Sequence, residues 1–203
     1  MKILETRTAP NPRRVRIFLA EKGIEVPREE MDLMKGALKT PEFTEKNWFQ
    51  RVPVLLLDDG TAISETIAIC RYFEETSPEP ALFGTGALGR AKVEMWNRRM
   101  ELGLFFSVAQ AFRHLHPAMA HLEVPQVSAW GEANKPRAQE VLQIMDQELG
   151  KRRFIAGDDY SVADITALVA VDFAKPARVE RPAGLDNLTR WHQEVSGRPS
   201  AKA

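Results

Sequence analysis

The feature that most constrains the fold of this chain is a change of sequence pattern near residue 80. Up to that point, short apolar stretches alternate with helical patterns, whereas only helical patterns follow it. Between the two lies Ser-Pro-Glu-Pro-Ala-Leu-Phe-Gly-Thr-Gly (residues 77–86), whose prolines and glycines are typical of a connection between domains. We therefore predict an α/β domain over residues 1–80, a linker over residues 81–86 and an all-α domain over residues 87–203.

The first domain is predicted to contain, in order, strand, helix, strand, helix, strand, strand and helix. Val15, Phe18 and Leu19 give its first helix one buried stripe, and Asp59-Gly60 between two apolar runs indicates a hairpin. The predicted segments are a strand at residues 2–5, a helix ending at Gly23, a strand at 25–31, a helix beginning at Thr40-Pro41, the hairpin at 52–63 and a helix at 65–75.

The second domain shows no strand pattern. Pro117 is expected to break or kink its first long helix, and Ser161-Val162-Ala163-Asp164 has the form of a capping box at the start of another. Apolar spacing indicates the helices themselves, marked by Val93, Trp96 and Met100, by Val141, Ile144, Met145 and Leu149, and by residues 185–195.

Charge and cysteine content exclude several classes of function. The chain has 28 basic and 28 acidic side chains, so it lacks the basic excess expected of a protein that binds nucleic acid or an anionic membrane. Its single cysteine, Cys70, excludes an intrachain disulfide, a CxxC redox pair and a cysteine-rich zinc site. The histidines lack the i, i+4 spacing of a helical metal pair, so no metal is expected. Without a signal-peptide pattern or a membrane span, we expect a soluble cytoplasmic protein.

Two segments of the first domain are candidates for binding an amino-acid-like ligand. Val52-Pro53 stands before a strand, where a cis bond would leave backbone groups free to pair with an extended peptide; an ordinary proline at a strand start is the alternative. Ser64-Glu65-Thr66 begins a helix, so that free amides and the Thr66 hydroxyl suit a carboxylate while Glu65 suits an ammonium group. Plain N-capping explains the same residue types.

Two further segments carry weaker signals. Lys39 and Arg51 can each receive a carboxylate, or they are solvated surface charges. The turn from Thr8 to Val15 connects the first strand to the N-terminus of the first helix. Amide donors at such an N-terminus stabilise an anion such as a thiolate, and Asn11 can donate a hydrogen bond there as well. An ordinary Asn-Pro turn is the alternative there.

The order of these segments resembles the cytosolic glutathione S-transferases over essentially the whole chain, most closely bacterial members with a serine-, threonine- or asparagine-type first turn. The stretches that carry the resemblance are TAPNPRRVRIFLAEKGIEVP, KTPEFTEKN, RVPVL, SETIAICRYFE, YSVADITALVA and WHQEVSGRPSAKA. The resemblance implies a thioredoxin-like first domain, an all-helical second domain, glutathione as co-substrate and a homodimer.

The resemblance also implies roles for particular residues. Val52, before a cis Pro53, corresponds to the position that pairs with the cysteinyl part of glutathione. Glu65 and Thr66 correspond to the pair that holds the γ-glutamyl group. Lys39 and Arg51 correspond to positions that face the glycyl carboxylate.

The first turn departs from the family pattern. Ala9 occupies the position where comparable classes have serine, threonine or cysteine, so the residues expected to stabilise the thiolate are Asn11 and Thr8. The loop before Val52 departs too, since Trp48 and Gln50 stand where relatives usually have proline and glycine.

The expected activity is conjugation of the glutathione thiolate to small hydrophobic electrophiles. The electrophile is expected between the first turn and the first long helix, with Phe105, Phe106, Phe112 and His114 facing it, although an aromatic stripe on a helix also suits a core. A glutathione-dependent disulfide reductase or peroxidase, and a non-catalytic glutathione-binding or interaction module, are the alternatives that the substitution at Ala9 leaves open.

Overall fold

The computed structural model describes residues 1–33 and 35–203, which form two compact units. Met1–Ala81 and Pro199–Ala203 make up the first unit, and Leu82–Arg198 make up the second. These bounds differ from the predicted domains at both ends of the second unit. Pro199–Ala203 were expected in the helical domain, and residues 81–86 were expected to be a linker.

Specific contacts account for both differences. Leu82 and Phe83 are buried, and the Leu82 carbonyl accepts a hydrogen bond from the Val162 N–H at 2.9 Å, so the second unit begins inside the predicted linker. At the C-terminus, the Ser200 hydroxyl donates to the carboxylate of Glu21 in the first unit. No spacing pattern in the sequence predicts such a long-range contact.

The first unit contains a four-stranded mixed sheet in the order β2-β1-β3-β4. β1 pairs in parallel with β2 and antiparallel with β3, and β3 pairs antiparallel with β4 across the predicted hairpin. The strands are β1 (Lys2–Glu5), β2 (Arg28–Glu30), β3 (Val54–Leu56) and β4 (Ala62–Ser64). The predicted second strand, residues 25–31, is thus correct in place but longer than the strand that forms.

Three helices accompany this sheet, as the sequence predicts: α1 (Pro10–Glu21), α2 (Pro41–Lys46) and α3 (Thr66–Thr76). The Thr40 side chain caps α2 by accepting from the Phe43 N–H at 3.2 Å. The buried Lys22 ammonium fastens the end of α1 to that of α3, since it lies 2.7 Å from the Glu74 carboxylate and donates to the Ser77 carbonyl at 2.6 Å. The two helices are therefore joined at their C-terminal ends.

The second unit is helical throughout its described elements. Its helices are α4 (Gly86–Arg98), α5 (Phe106–Leu115), α6 (Ser128–Leu149), α7 (Val162–Ala174) and α8 (Asp186–Ser196). A π-helical segment, Arg99–Phe105, joins α4 to α5, and Pro117 begins a separate 3₁₀ turn. The break at Pro117 was predicted, whereas the π-helical segment was not, because apolar spacing does not distinguish it from α-helix.

The central helix of the second unit is α7, which is buried along most of its length. The predicted capping box is present at its start, with Ser161 as the N-cap residue and Asp164 as its reciprocal partner. Across the described residues, no helix is both long enough and apolar enough to cross a bilayer.

Candidate active site

The first turn of α1 offers fewer backbone donors than a helix N-terminus normally does. Ala9 is the N-cap residue and makes no side-chain cap, while its own N–H donates to the Thr6 carbonyl at 3.0 Å. Pro10 and Pro12 occupy the first and third helical positions and have no N–H. The N–H of Asn11 is consequently the one free backbone donor among the first three helical residues. The sequence predicted several backbone amides at this helix N-terminus that could stabilise a thiolate, and one of them, the N–H of Asn11, is present among these three residues.

The side chain of Asn11 adds a second donor at the same place. Its Oδ1 accepts from the Arg14 guanidinium at 3.2 Å, and its Nδ2 has no acceptor among the residues that the structure describes. Thr8 is exposed in the turn before the helix, whereas the nearby Thr6 hydroxyl donates to the Met31 carbonyl at 2.7 Å. Of these two hydroxyls, Thr8 is the one left accessible.

The N-terminus of α3 provides a complete set of donors. Thr66, Ile67 and Ala68 occupy its first three positions and all carry N–H groups that have no acceptor within the helix. The preceding Glu65 is exposed and has a backbone φ of 72° in the left-handed region, which costs conformational energy in a residue other than glycine. An acidic residue thus directly precedes three amide donors in the chain, and its side chain does not cap them.

The Val52–Pro53 peptide bond is cis, as the family resemblance implies. β3 begins one residue later, where Val54 lies opposite Leu4 of β1 and Ser64 of β4. Within the described chain, the backbone N–H and C=O of Val52 make no hydrogen bond, because they precede this ladder. They remain available to an extended peptide.

A buried asparagine that the sequence did not single out shapes the loop before this bond. Asn47 donates from Nδ2 to the Arg51 carbonyl at 2.8 Å and accepts at Oδ1 from the Phe49 N–H at 3.1 Å. Gln50 has a φ of 54°, a conformation that favours the glycine expected at this position from the family resemblance, and its side chain donates to the Thr44 hydroxyl at 3.1 Å. Only burial distinguishes Asn47 from a surface polar residue, and burial is a tertiary property.

The two predicted basic residues lie on the surface of the first unit. Lys39 ends a short 3₁₀ helix, Ala37–Lys39, and Arg51 lies on the loop before the cis bond. Both are exposed. They are accessible to a carboxylate, and their role in binding one stays a prediction.

The four predicted electrophile-site residues have different environments within the second unit. Phe105 is buried against Phe173, with ring centroids 6.4 Å apart, whereas Phe106 is 45% exposed. Phe112 is half-buried and stacks on His116 with centroids 4.6 Å apart. Phe106 and Phe112 are therefore the accessible aromatic side chains of the set.

His114 makes a structural contact at the start of α6. Its Nδ1 accepts from the N–H of Val127, the N-cap residue of that helix, at 3.1 Å, and its Nε2 lies 3.8 Å from Glu123. Accepting at Nδ1 requires that nitrogen to be unprotonated, so the neutral ring carries its proton on Nε2. Any contact of His114 with a substrate is left to Nε2, and that contact stays a prediction.

The four-stranded mixed sheet, the cis-proline before β3 and the accompanying helices define a thioredoxin-like domain, and a helical unit follows it in the chain. The sequence matches the family models for the glutathione S-transferase N-terminal domain over residues 8–76 and the glutathione S-transferase C-terminal domain over residues 95–199. The chain belongs to the glutathione S-transferase family and is a glutathione transferase enzyme, as predicted.

Within this family the chain is similar to the Gtt2 class. Glutathione S-transferase 2 of Saccharomyces cerevisiae is 37% identical over 205 residues, covering 100% of this chain and 88% of the yeast protein. The crystal structure of a glutathione S-transferase domain-containing protein from Marinobacter aquaeolei VT8 has a TM-score of 0.96 and 41% identity, covering 98% and 99% of the two chains. A Gtt2-class glutathione S-transferase from Vibrio parahaemolyticus has a TM-score of 0.88 and 38% identity, covering 100% of this chain and 96% of its own.

Proposed function

We propose that this enzyme conjugates the thiolate of glutathione to small hydrophobic electrophiles and that the first unit holds glutathione. The observation that carries the proposal is the pairing of two complementary sites in one unit. One is the free backbone of Val52 at the cis bond, and the other is the α3 N-terminus with exposed Glu65 before it. Family members use glutathione as co-substrate, and a γ-glutamyl tripeptide presents the groups that these two sites suit.

Binding would distribute the three parts of glutathione over the first unit. The amide donors of α3 and the Thr66 hydroxyl receive the γ-glutamyl carboxylate, and the Glu65 carboxylate pairs with its ammonium group. The backbone of Val52 pairs with the cysteinyl residue. Lys39 and Arg51 attract the glycyl carboxylate, which exposed cations do through long-range charge more than through a fixed contact.

The first turn of α1 would stabilise the thiolate. A free thiol has a pKa of about 8.5, and lowering it by two units corresponds to about 2.7 kcal/mol of preference for the thiolate. The Asn11 N–H and Nδ2 supply two donors, and Thr8 supplies an accessible hydroxyl. The thiol proton passes to solvent, and the sulfur then forms a bond to the electrophilic carbon while the leaving group departs with its electron pair.

The second unit would supply the apolar surface for the electrophile. Phe106 and Phe112 retain accessible ring area, so they are the side chains best able to bind a small hydrophobic molecule. Phe105, which is buried, would support these rings from the interior, and His114 would reach the electrophile only through its Nε2. We also propose a homodimer in a reducing, cytoplasmic environment, which suits a chain with a single cysteine.

Two assays in parallel test this function. The purified enzyme should conjugate a chloronitroarene with glutathione at a higher rate than it reduces hydroxyethyl disulfide. Activity confined to disulfide reduction would replace the proposal with a glutathione-dependent reductase. Glutathione binding without either activity would mean that the chain is a binding module.

Asn11→Ala tests the thiolate role, and Glu65→Gln is its matched control. The thiol pKa of bound glutathione, measured from thiolate absorbance against pH, should rise by about one unit in Asn11→Ala, since one donor is lost. Glu65→Gln should weaken glutathione binding and leave the thiol pKa of the bound molecule unchanged. An unaltered pKa in Asn11→Ala contradicts the role given to Asn11, and unaltered affinity in Glu65→Gln contradicts the headgroup site.

A further inference from the structure

The three arginines of α1 have different partners. Arg13 donates from Nη2 to a backbone carbonyl of the C-terminal segment at 3.2 Å. Arg16 lies 3.3 Å from the buried carboxylate of Glu5. Arg14 instead donates from Nη1 to the Oδ1 of Asn11 at 3.2 Å. One of the three thus contacts the residue proposed to stabilise the thiolate.

This contact determines which way the Asn11 amide faces. A guanidinium group has only donors, so the atom of Asn11 that faces Arg14 must be the oxygen. The two polar atoms of a planar amide lie on opposite sides of its terminal carbon, which directs Nδ2 away from the guanidinium. If the amide turned over, its N–H groups would face those of the arginine, an arrangement with no acceptor.

Burial makes the arrangement rigid. The Arg14 residue is 2% exposed, whereas Asn11 is half-buried. The spacing of three residues along α1 also brings the two side chains to one face of the helix. A buried guanidinium cannot turn toward solvent, so the oxygen of Asn11 keeps a fixed partner while its Nδ2 remains accessible.

We propose that Arg14 is a positioning residue that holds the Asn11 amide with its Nδ2 directed at the thiolate. The inference rests on the thiolate role proposed for Asn11. The positive charge of Arg14 also polarises the amide through the hydrogen bond and makes Nδ2 a stronger donor. Arg14 does not touch the sulfur; its effect passes through Asn11.

The test is a double-mutant cycle on the thiol pKa of bound glutathione. Arg14→Met should raise this pKa by about one unit, because the amide loses its fixed orientation. Arg14→Lys retains a charged donor and should stay near the wild-type value. In an Asn11→Ala background, Arg14→Met should add no further rise. Arg13→Met is the matched control from the neighbouring position, and it should leave the pKa unchanged.

The kinetic readout separates positioning from a general loss of structure. Arg14→Met should lower kcat for conjugation with little change in the KM for glutathione, and the fold is checked by circular dichroism and melting temperature. If Arg14→Met does not fold, Arg14→Gln replaces it; a glutamine amide can present either a donor or an acceptor to Asn11 and so no longer fixes its orientation, and a smaller rise in the same direction is expected.

Two results would overturn the inference. One is an unchanged thiol pKa in folded Arg14→Met or Arg14→Gln, and the other is an equal rise in the Asn11→Ala background. If Asn11→Ala alone shifts the pKa, the proposed thiolate role stands while Arg14 loses its assignment. If Asn11→Ala does not shift it, the thiolate role itself is wrong, and the inference falls with it.

Discussion

Asp164 is the buried carboxyl group on which the capping box of α7 depends. Its Oδ1 accepts from the Ile155 N–H and from Trp191 Nε1, both at 2.9 Å, and its Oδ2 accepts from the N–H and hydroxyl of Ser161 at 3.0 and 3.1 Å. Burial raises the pKa of Asp164 from 3.8 to about 6, and these four donors oppose the rise without cancelling it. The sequence predicted the reciprocal cap, but not the contacts with Ile155 and Trp191.

This raised pKa gives a prediction at the scale of one residue. A carboxyl group whose pKa is higher in the folded than in the unfolded state stabilises the fold fully below the unfolded value of 3.8, and this contribution is lost as pH rises through about 6. Between pH 5 and pH 7 the titration of Asp164 should therefore lower the free energy of unfolding by about 1 kcal/mol.

Asp164→Asn removes the titrating group and serves as the reference. The free energy of unfolding in urea is measured at pH 5 and pH 7 for both proteins. Its decrease toward pH 7 should be larger in the wild type than in the variant, because other titrating groups affect both proteins equally. Equal changes in the two proteins would show that Asp164 does not titrate in this interval. The variant should also be less stable throughout, because an amide cannot accept all four hydrogen bonds.

At the scale of elements, the two helix N-termini of the first unit differ in what their sequences permit. The order Pro10-Asn11-Pro12 starts a helix well but removes two of its three free amides, whereas Thr66-Ile67-Ala68 keeps all three. This difference is readable from the sequence once the helix starts are known. It makes the N-terminus of α3 the better suited of the two to a carboxylate, and it makes the thiolate site proposed at α1 depend on the Asn11 side chain.

The packing of α5 against α6 gives a prediction for this scale. Gly131 in α6 lies against the last turn of α5, and a Cβ atom there would meet Leu115 Cγ at 2.6 Å and His114 Cβ at 3.1 Å. Gly131→Ala should lower the free energy of unfolding by about 1–3 kcal/mol, because the helices must move apart. Urea unfolding, followed by circular dichroism, measures the change.

Gly89 in α4 is the matched helical control. The nearest atom to a Cβ built there is 4.0 Å away, so Gly89→Ala should raise stability by about 0.5–1 kcal/mol through helix propensity alone. If the two alanine variants change stability by the same amount, the close approach of α5 and α6 is not what keeps residue 131 a glycine.

At the scale of the whole molecule, the chain has one thiol, and it is buried in the folded protein. Cys70 is 1% exposed on the buried face of α3. A buried thiol reacts slowly, so a chromogenic aromatic disulfide should label no thiol in the native protein within minutes and one thiol per chain in denaturant. Rapid labelling of the native protein would contradict this and would make Cys70 a second candidate thiol for disulfide exchange.

The sequence alone determined the class of fold and the family. Strand and helix periods, the hairpin dipeptide, the Thr40 cap and the capping box are local patterns, and short-range physics is enough to place them. The same holds for the site residues with distinctive neighbours: the proline after Val52, the Glu65-Thr66 pair and Asn11 in its turn. Their binding and catalytic roles remain predictions that the proposed experiments test.

Only the tertiary structure decided which of these groups are buried or already hydrogen-bonded within the protein. In the folded chain Arg14, and neither Arg13 nor Arg16, donates to Asn11. Nδ1 of His114 accepts a hydrogen bond at the start of α6, and Asn47 is buried in the loop before Val52. It also placed Pro199–Ala203 in the first unit. The physical reason is common to all four: packing against residues distant in the chain decides which side chains are buried and which of their possible local partners they meet, and no local period carries that information.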